Sequence, residues 1–356
     1  MSKALACLTA AAAAAAGTAA VVLNLVAAGR GAHHSLNAWT AAPFLLGILA
    51  PAAVGLFVAL RRPGNRIAWI LLVGPLAVAV VFAADGLREL ALHGDPGAKT
   101  GAWAALVAEQ WPVLFLWPLA LAFVYPDGRL PTPRWRPVAA LAAVACGGLV
   151  TMLFLAPDLD TARGTVPNPL PVTLPSSLEP LFWVCWAGLL ASLFAGAFAL
   201  RARYRAGDTQ LRRQVLWLAY GAILVPIWLG GGSLWSRLIG STDPVDGIGL
   251  LIFQIWPAVA VWIAVTRHGL YAIDRVLNRT LVYVALTALL IATYALVALA
   301  VGVTVGGSAL SASVATLAAA LAFRPLHDRI QRLVDRRFAR ARLDAVRLLR
   351  DFLDEV

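Results

Sequence analysis

Glu109 is the side chain of this sequence best placed to do chemistry, because it is a carboxyl inside an otherwise apolar stretch. An ionisable group in hydrocarbon is costly, so it marks a functional position by default. Glu109 could hold a cationic or polar ligand, or carry a proton. The plainer alternative is a carboxyl near a membrane boundary, protonated or hydrogen-bonded to another helix. Gln110 and Trp111 follow it, and a polar pair beside an aromatic ring could line a pocket. Gln254 and Asn24 are the other polar groups of this candidate intramembrane site, and Asp85 sits at the end of an apolar stretch where water reaches it. No motif connects these residues, and an enzyme needs several convergent polar groups.

Other chemistries find less support. No Cys/His cluster has metal spacing, and His33 and His34 are adjacent, so they point to different faces. The three cysteines, Cys7, Cys146 and Cys185, all lie in apolar stretches, which implies no disulfide framework. There is no Gly-rich nucleotide loop of the P-loop or dinucleotide type. No catalytic residue, cofactor or metal is therefore assigned to this chain.

The elements that must position Glu109, Gln254 and Asn24 are membrane helices. Of the 356 residues 61% are hydrophobic and 13% charged, and the mean hydropathy is +0.79. A soluble domain is about one quarter charged. A membrane helix needs about 20 mostly apolar residues. Ten stretches qualify: 4–28, 39–60, 67–85, 103–124, 137–156, 180–200, 215–235, 247–266, 281–302 and 308–323. The expected fold is all-α, a polytopic transmembrane bundle of about ten spans with both ends cytoplasmic, in the inner (plasma) membrane. The first stretch is longer than the apolar region of a signal peptide, about 7–15 residues, so it is expected to be retained; its cleavage would leave nine spans. Prolines recur within the spans, which membrane helices tolerate.

Charge supports this division. With ten spans, all but five of the 29 Lys and Arg residues fall on one side; Arg30, Arg88, Lys99, Arg163 and Arg237 are assigned to the other. Cytoplasmic loops retain Lys and Arg. The net charge of +11 therefore belongs to short inner loops and a tail, which argues against nucleic acid as a partner and for the lipid bilayer. Trp39, Trp103, Trp135, Trp183, Trp217 and Trp235 lie near span ends, as in an aromatic belt. The longest outer loop, 157–179, carries Pro157, Pro167, Pro169, Pro171 and Pro175 and is expected to form neither helix nor regular strand. The run Gly230–Gly232 is the single candidate for a break within a span, and no internal repeat is visible.

After residue 323 the pattern becomes that of a soluble amphipathic helix. Leu326, Ile330, Val334, Phe338, Ala341, Ala345, Leu348 and Phe352 follow steps of four and three, a heptad seam from Phe338 onward. A coiled-coil linker pairing in a homodimer is one reading; a basic helix lying on the bilayer is the other. The chain is thus expected to divide into a membrane domain, 1–323, and a cytoplasmic juxtamembrane signalling helix, 324–356. Ahead of the ninth span, Asp274 and Asn278 share a helical face, with Arg275 and Arg279 beside them; either this anchors the inner face or it relays movement.

The tail "FRPLHDRIQRLVDRRFARARLDAVRLL" resembles the linker that follows the membrane part of many actinobacterial sensor histidine kinases of two-component systems. The stretches "RRPGNRIAWILL" at 61–72, "YPDGRLPTPRWRP" at 125–137, "LRRQVLWLAYG" at 211–221 and "RHGLYAIDRVLNRTLVY" at 267–283 resemble the same family, in the family's order. The resemblance implies a signal-input module for phosphorelay signalling, with the 267–283 residues and the tail seam as its relay. It also implies a phosphorylated His and an ATP-binding kinase domain beyond the linker. The sequence in hand holds neither, so no kinase activity is expected of it, and a response regulator is a partner only if a kinase domain follows. His327, beside the last span, is too near the bilayer to be the phosphoacceptor. A standalone transporter or membrane enzyme is the alternative.

Overall fold

The computed structural model describes residues 3–32, 36, 38–95, 98–161, 164–170, 174–219 and 243–267. It is built almost wholly of helices: α1 (Lys3–Gly29), α2 (Ala38–Arg61), α3 (Arg66–Gly94), α4 (Lys99–Ala108), α5 (Val113–Val124), α6 (Arg136–Phe154), α7 (Glu179–Ala206), α8 (209–219) and α9 (Asp243–Arg267). Among the described residues six stretches are long and apolar enough to cross a membrane: Lys3–Gly29, Thr40–Arg61, Arg66–Gly94, Lys99–Val124, Pro133–Phe154 and Pro180–Ala206. The protein is a membrane protein of helical-bundle type. The ninth and tenth expected spans, most of the seventh, Gly230–Gly232, His33 and His34 lie outside the described residues, as do the relay residues Asp274, Arg275, Asn278 and Arg279. So do the tail positions Leu326, Ile330, Val334, Phe338, Ala341, Ala345, Leu348 and Phe352.

α3 is the centre of the described bundle. It packs against α1, α2, α4 and α5, while α2 also carries α9, and α7 packs on α5 and α6. Its start is set by sequence: the Asn65 side chain accepts a hydrogen bond from Ile67 N at 2.8 Å, the usual way an Asn satisfies a free amide at a helix start. The Trp69 indole donates to the Pro63 carbonyl at 2.9 Å, closing the short turn from α2. α6 and α7 are the least enclosed helices. They leave Leu141, Val144, Trp183, Val184, Phe194 and Phe198 exposed, an apolar surface that suits lipid and not water.

Three expectations need correction. The third span does not end at Asp85: α3 continues to Gly94, because its charges pair with one another and the helix stays enclosed, with Asp85, Glu89 and Leu92 buried. The fourth span, expected as one helix over 103–124, is two, broken over Glu109–Pro112. Pro112 has no amide proton and its ring collides with a carbonyl four residues back, so an α-helix cannot run through it unbent. The Gln110 amide nitrogen turns back onto the Leu106 carbonyl at 3.3 Å and its backbone N–H onto Val107 O at 3.1 Å, which satisfies the loosened carbonyls. The loop after α6, finally, contains regular strands: β1 (Asp158–Thr161) and β2 (Gly164–Pro167) pair antiparallel, Asp158 opposite Pro167 and Thr161 opposite Gly164. The prolines stand at its edges, leaving the stretch between Pro157 and Pro167 free to pair. Leu159 on β1 is buried with Ala105 and Leu106 of α4.

Candidate functional site

Glu109 sits at the C-terminal end of α4, where the break begins, and its carboxylate faces Arg88 of α3. Arg88 Nη1 is 3.4 Å from Glu109 Oε1, Nη2 is 2.6 Å from Asp85 Oδ1 and Nε is 3.0 Å from Glu89 Oε1. Nη1 also donates to the Asp160 carbonyl of β1 at 3.2 Å. One guanidinium thus joins α3, α4 and the hairpin. The side chains are enclosed: 11% exposure for Arg88, 12% for Asp85, 5% for Glu89 and 19% for Glu109. With all four ionised the group would carry two excess negative charges, and Asp85 Oδ2 is buried with no hydrogen-bond partner among the described residues. Arg88 reads in sequence as one of the five outer-loop cations. The usable signal was its spacing: Asp85 three residues before it puts the pair on one helical face.

Gln254 lies elsewhere. It is fully enclosed on α9, and its Oε1 accepts from the Trp117 indole N–H of α5 at 3.1 Å, while its Nε2 has no partner among the described residues. Trp117 packs closely on α3 at Gly74: a Cβ there would stand 2.4 Å from Trp117 Cβ and Cγ. This Trp–Gln pair ties α3, α5 and α9 together near the middle of the bundle. Trp117 is not among the six tryptophans that the sequence places near span ends, and no local pattern marks its partner.

Asn24 is buried on α1. Its amide donates to Ala20 O at 2.9 Å and to Phe82 O of α3 at 3.0 Å, and its carbonyl oxygen receives Leu36 N at 3.4 Å. This amide clamps α1 to α3. Asn24→Leu is expected to cost about 1 kcal/mol, the scale of an interhelical hydrogen bond in a bilayer, read as earlier thermal unfolding in detergent; unchanged unfolding would show that the clamp adds nothing. Glu109, Gln254 and Asn24 therefore do not converge. Gln254 meets α3 through Trp117 at Gly74, roughly 12–21 Å along the axis from the other two at 1.5 Å per residue. Asn24 packs at Phe82 and Gly86, and Gly86 lies on a different face of α3 from Arg88, two residues on. Among the described residues no group of three or more His, Cys, Asp or Glu side chains is placed to hold a metal ion.

A second junction forms at the basic end of the bundle, where α2 meets α3, α5 meets α6 and α7 meets α8. Tyr125 is fully buried there, and its hydroxyl donates to Gln214 O of α8 at 3.3 Å. Arg66 at the start of α3 reaches Gly128 O at 3.5 Å. Arg203 of α7, buried, donates to Ala122 O at 3.4 Å and to Arg129 O. Gly128, at φ 72°, supplies the left-handed residue that lets the Tyr125–Arg129 chain reverse, with its N–H on Val124 O at 2.8 Å. The buried Arg203, with the Asp127 carboxylate near it, and the exposed Arg66 hold the loop through its backbone carbonyls. The stretches 61–72, 125–137 and 211–221 thus meet in one place; 267–283 lies outside the described residues.

No protein-family model, curated protein or solved structure matches this chain.

Proposed function

We propose that this chain is the membrane-embedded signal-input module of a two-component sensor histidine kinase, multi-pass in the plasma membrane with about ten spans and its basic end in the cytoplasm. The observation that carries the reading is the basic-end junction. Three of the stretches that resemble the kinase family, distant in sequence, are held to one another there by Tyr125, Arg66 and the carbonyls they reach. A rigid junction on the cytoplasmic side is what a module needs if a repacking of its spans is to move a helix beyond them. A stimulus acts by binding two packings with different affinity, and the seam from Phe338 to Phe352 passes the change to a paired copy and on to a kinase domain.

Two measurements test this. An antibody to 157–179 on membranes of the host should detect a band far larger than 37.6 kDa; a band at that size would remove the attached kinase. In the complete protein, Ala341→Pro should abolish the response to stimulus while leaving membrane insertion intact, because proline breaks the seam at a cost of about 3 kcal/mol. A normal response would sink the relay.

One observation favours the alternative of a transporter. Discontinuous helices are common around transport sites, and the break at Glu109–Pro112 places a carboxylate at such a discontinuity. Substrate flux by purified protein in sealed vesicles would support that reading over the sensor.

A further inference from the structure

The outer surface of α7 carries a feature that neither the junction nor the carboxylate cluster uses. Between α7 and α8 runs a groove of about 470 Å³, lined by Phe194, Phe198, Val215 and Leu216, with Arg201 and Tyr204 at one end. Phe194 and Phe198 are 69% and 61% exposed. From Phe194 to Tyr204 the groove extends roughly 15 Å at the helical rise, comparable to much of one acyl chain. Arg201 is exposed, and among the described residues no group pairs with it. Arg205, one turn nearer the end, lies on the same face and is likewise exposed and unpaired. Arg212 of α8 stands beside the lining residue Tyr204, its Nε donating to Tyr204 O at 3.1 Å and its guanidinium 5.8 Å from the Tyr204 ring centre. That leaves both terminal nitrogens of Arg212 free of any partner among the described residues.

We propose that this groove is a binding site for an anionic phospholipid of the leaflet at the basic end, one acyl chain lying over Phe194 and Phe198 and the phosphate between Arg201 and Arg212. The groove is apolar along its length and cationic at one end, and an anionic amphiphile has the complementary polarity. A zwitterionic lipid would set its own cation against the arginines. A second copy of the chain, inserted in the same orientation, would bring its basic end against this one. A soluble partner cannot reach a groove whose floor lies within a membrane-crossing stretch, Pro180–Ala206. Basic pockets between helices at this depth suit lipid headgroups, each Arg contributing about 1 kcal/mol. This inference does not depend on the kinase reading.

The test uses the full chain in nanodiscs of equal phosphatidylglycerol and phosphatidylcholine, released and weighed by native mass spectrometry. Wild type should retain phosphatidylglycerol preferentially. Arg201→Gln should lower that retention roughly fivefold, the equivalent of one such arginine contact, and Arg201→Gln with Arg212→Gln should lower it further. Ala197→Trp, which fills the groove and leaves every charge in place, should lower it as well. Arg136→Gln, an equal charge loss at the exposed start of α6, should leave it unchanged, and millimolar glycerol phosphate should not compete. Equal retention of the two lipids would overturn the proposal. So would an Arg136→Gln effect as large as that of Arg201→Gln, or an Ala197→Trp variant that retains as much as wild type, because either outcome reduces the preference to bulk surface charge. Displacement by glycerol phosphate would overturn it too, assigning the arginines to a soluble phosphate. Each variant's elution by size-exclusion chromatography separates loss of lipid from loss of fold.

Discussion

Arg88→Met should destabilise the protein by about 3–5 kcal/mol, the usual result of removing one partner from a buried ionic group. The damage comes less from the lost attraction than from what stays behind. Asp85, Glu89 and Glu109 would face one another in a site from which water is largely excluded, with no cation among the described residues to offset them. The Asp160 carbonyl would lose its donor as well. Thermal unfolding in detergent, or the denaturant midpoint in mixed micelles, reads the effect. Adding Asp85→Asn to Arg88→Met removes one of the stranded charges and should recover part of the loss. A cost for Arg88→Met below about 1 kcal/mol would mean that the carboxylates are well solvated and that the cluster is an ordinary surface group.

The second large effect should come from the least conspicuous residue of α3. Within a helix, Gly→Ala ordinarily stabilises by about 0.5–1 kcal/mol. At Gly74 the sign should reverse. The added methyl would stand 2.4 Å from Trp117 Cβ and Cγ, and Trp117 is held by its bond to Gln254, so the ring has no easy retreat. Overpacking of this kind costs about 1–3 kcal/mol, and Gly74→Val should exceed that as α3 and α5 are pushed apart. The check is a double-mutant cycle: with Trp117→Ala in place, Gly74→Ala should lose most of its penalty. Additive penalties would show that the two residues do not share this contact.

The residues that form crossing helices were legible in the sequence, because length and apolarity are local properties. The stretches 4–28, 39–60, 137–156 and 180–200 correspond to α1, α2, α6 and α7. Legibility failed where a charge found its partner. Hydropathy read Asp85 and Arg88 as the exit of a span, whereas the helix continues to Gly94 once they pair. It failed again at Pro112, since Pro118 lies inside α5 while Pro112 caps its start after a break. At the break Gln110 turns back onto the Leu106 carbonyl. Glu109 stands out in the sequence as a carboxyl in an apolar stretch, yet Arg88, which defines its surroundings, is hidden there among loop cations. The Trp117–Gln254 pair spans 137 positions, and no local pattern announces such a bond. The resemblance stretches were visible as words, but only their folded positions show that three of them touch.

The hairpin after α6 bears on the order of assembly. Arg88 and its three carboxylates leave the ribosome close together, within 25 consecutive residues, Asp85 to Glu109. The Asp160 carbonyl that completes the guanidinium's set follows 72 residues behind Arg88. Between them the chain crosses to the basic end through α5 and returns through α6. During synthesis, therefore, the early helices carry an unfinished, negatively biased cluster, and Leu159 and Asp160 seal it only after that round trip. The hairpin serves as the latch of the Arg88 cluster, the last of its members to leave the ribosome.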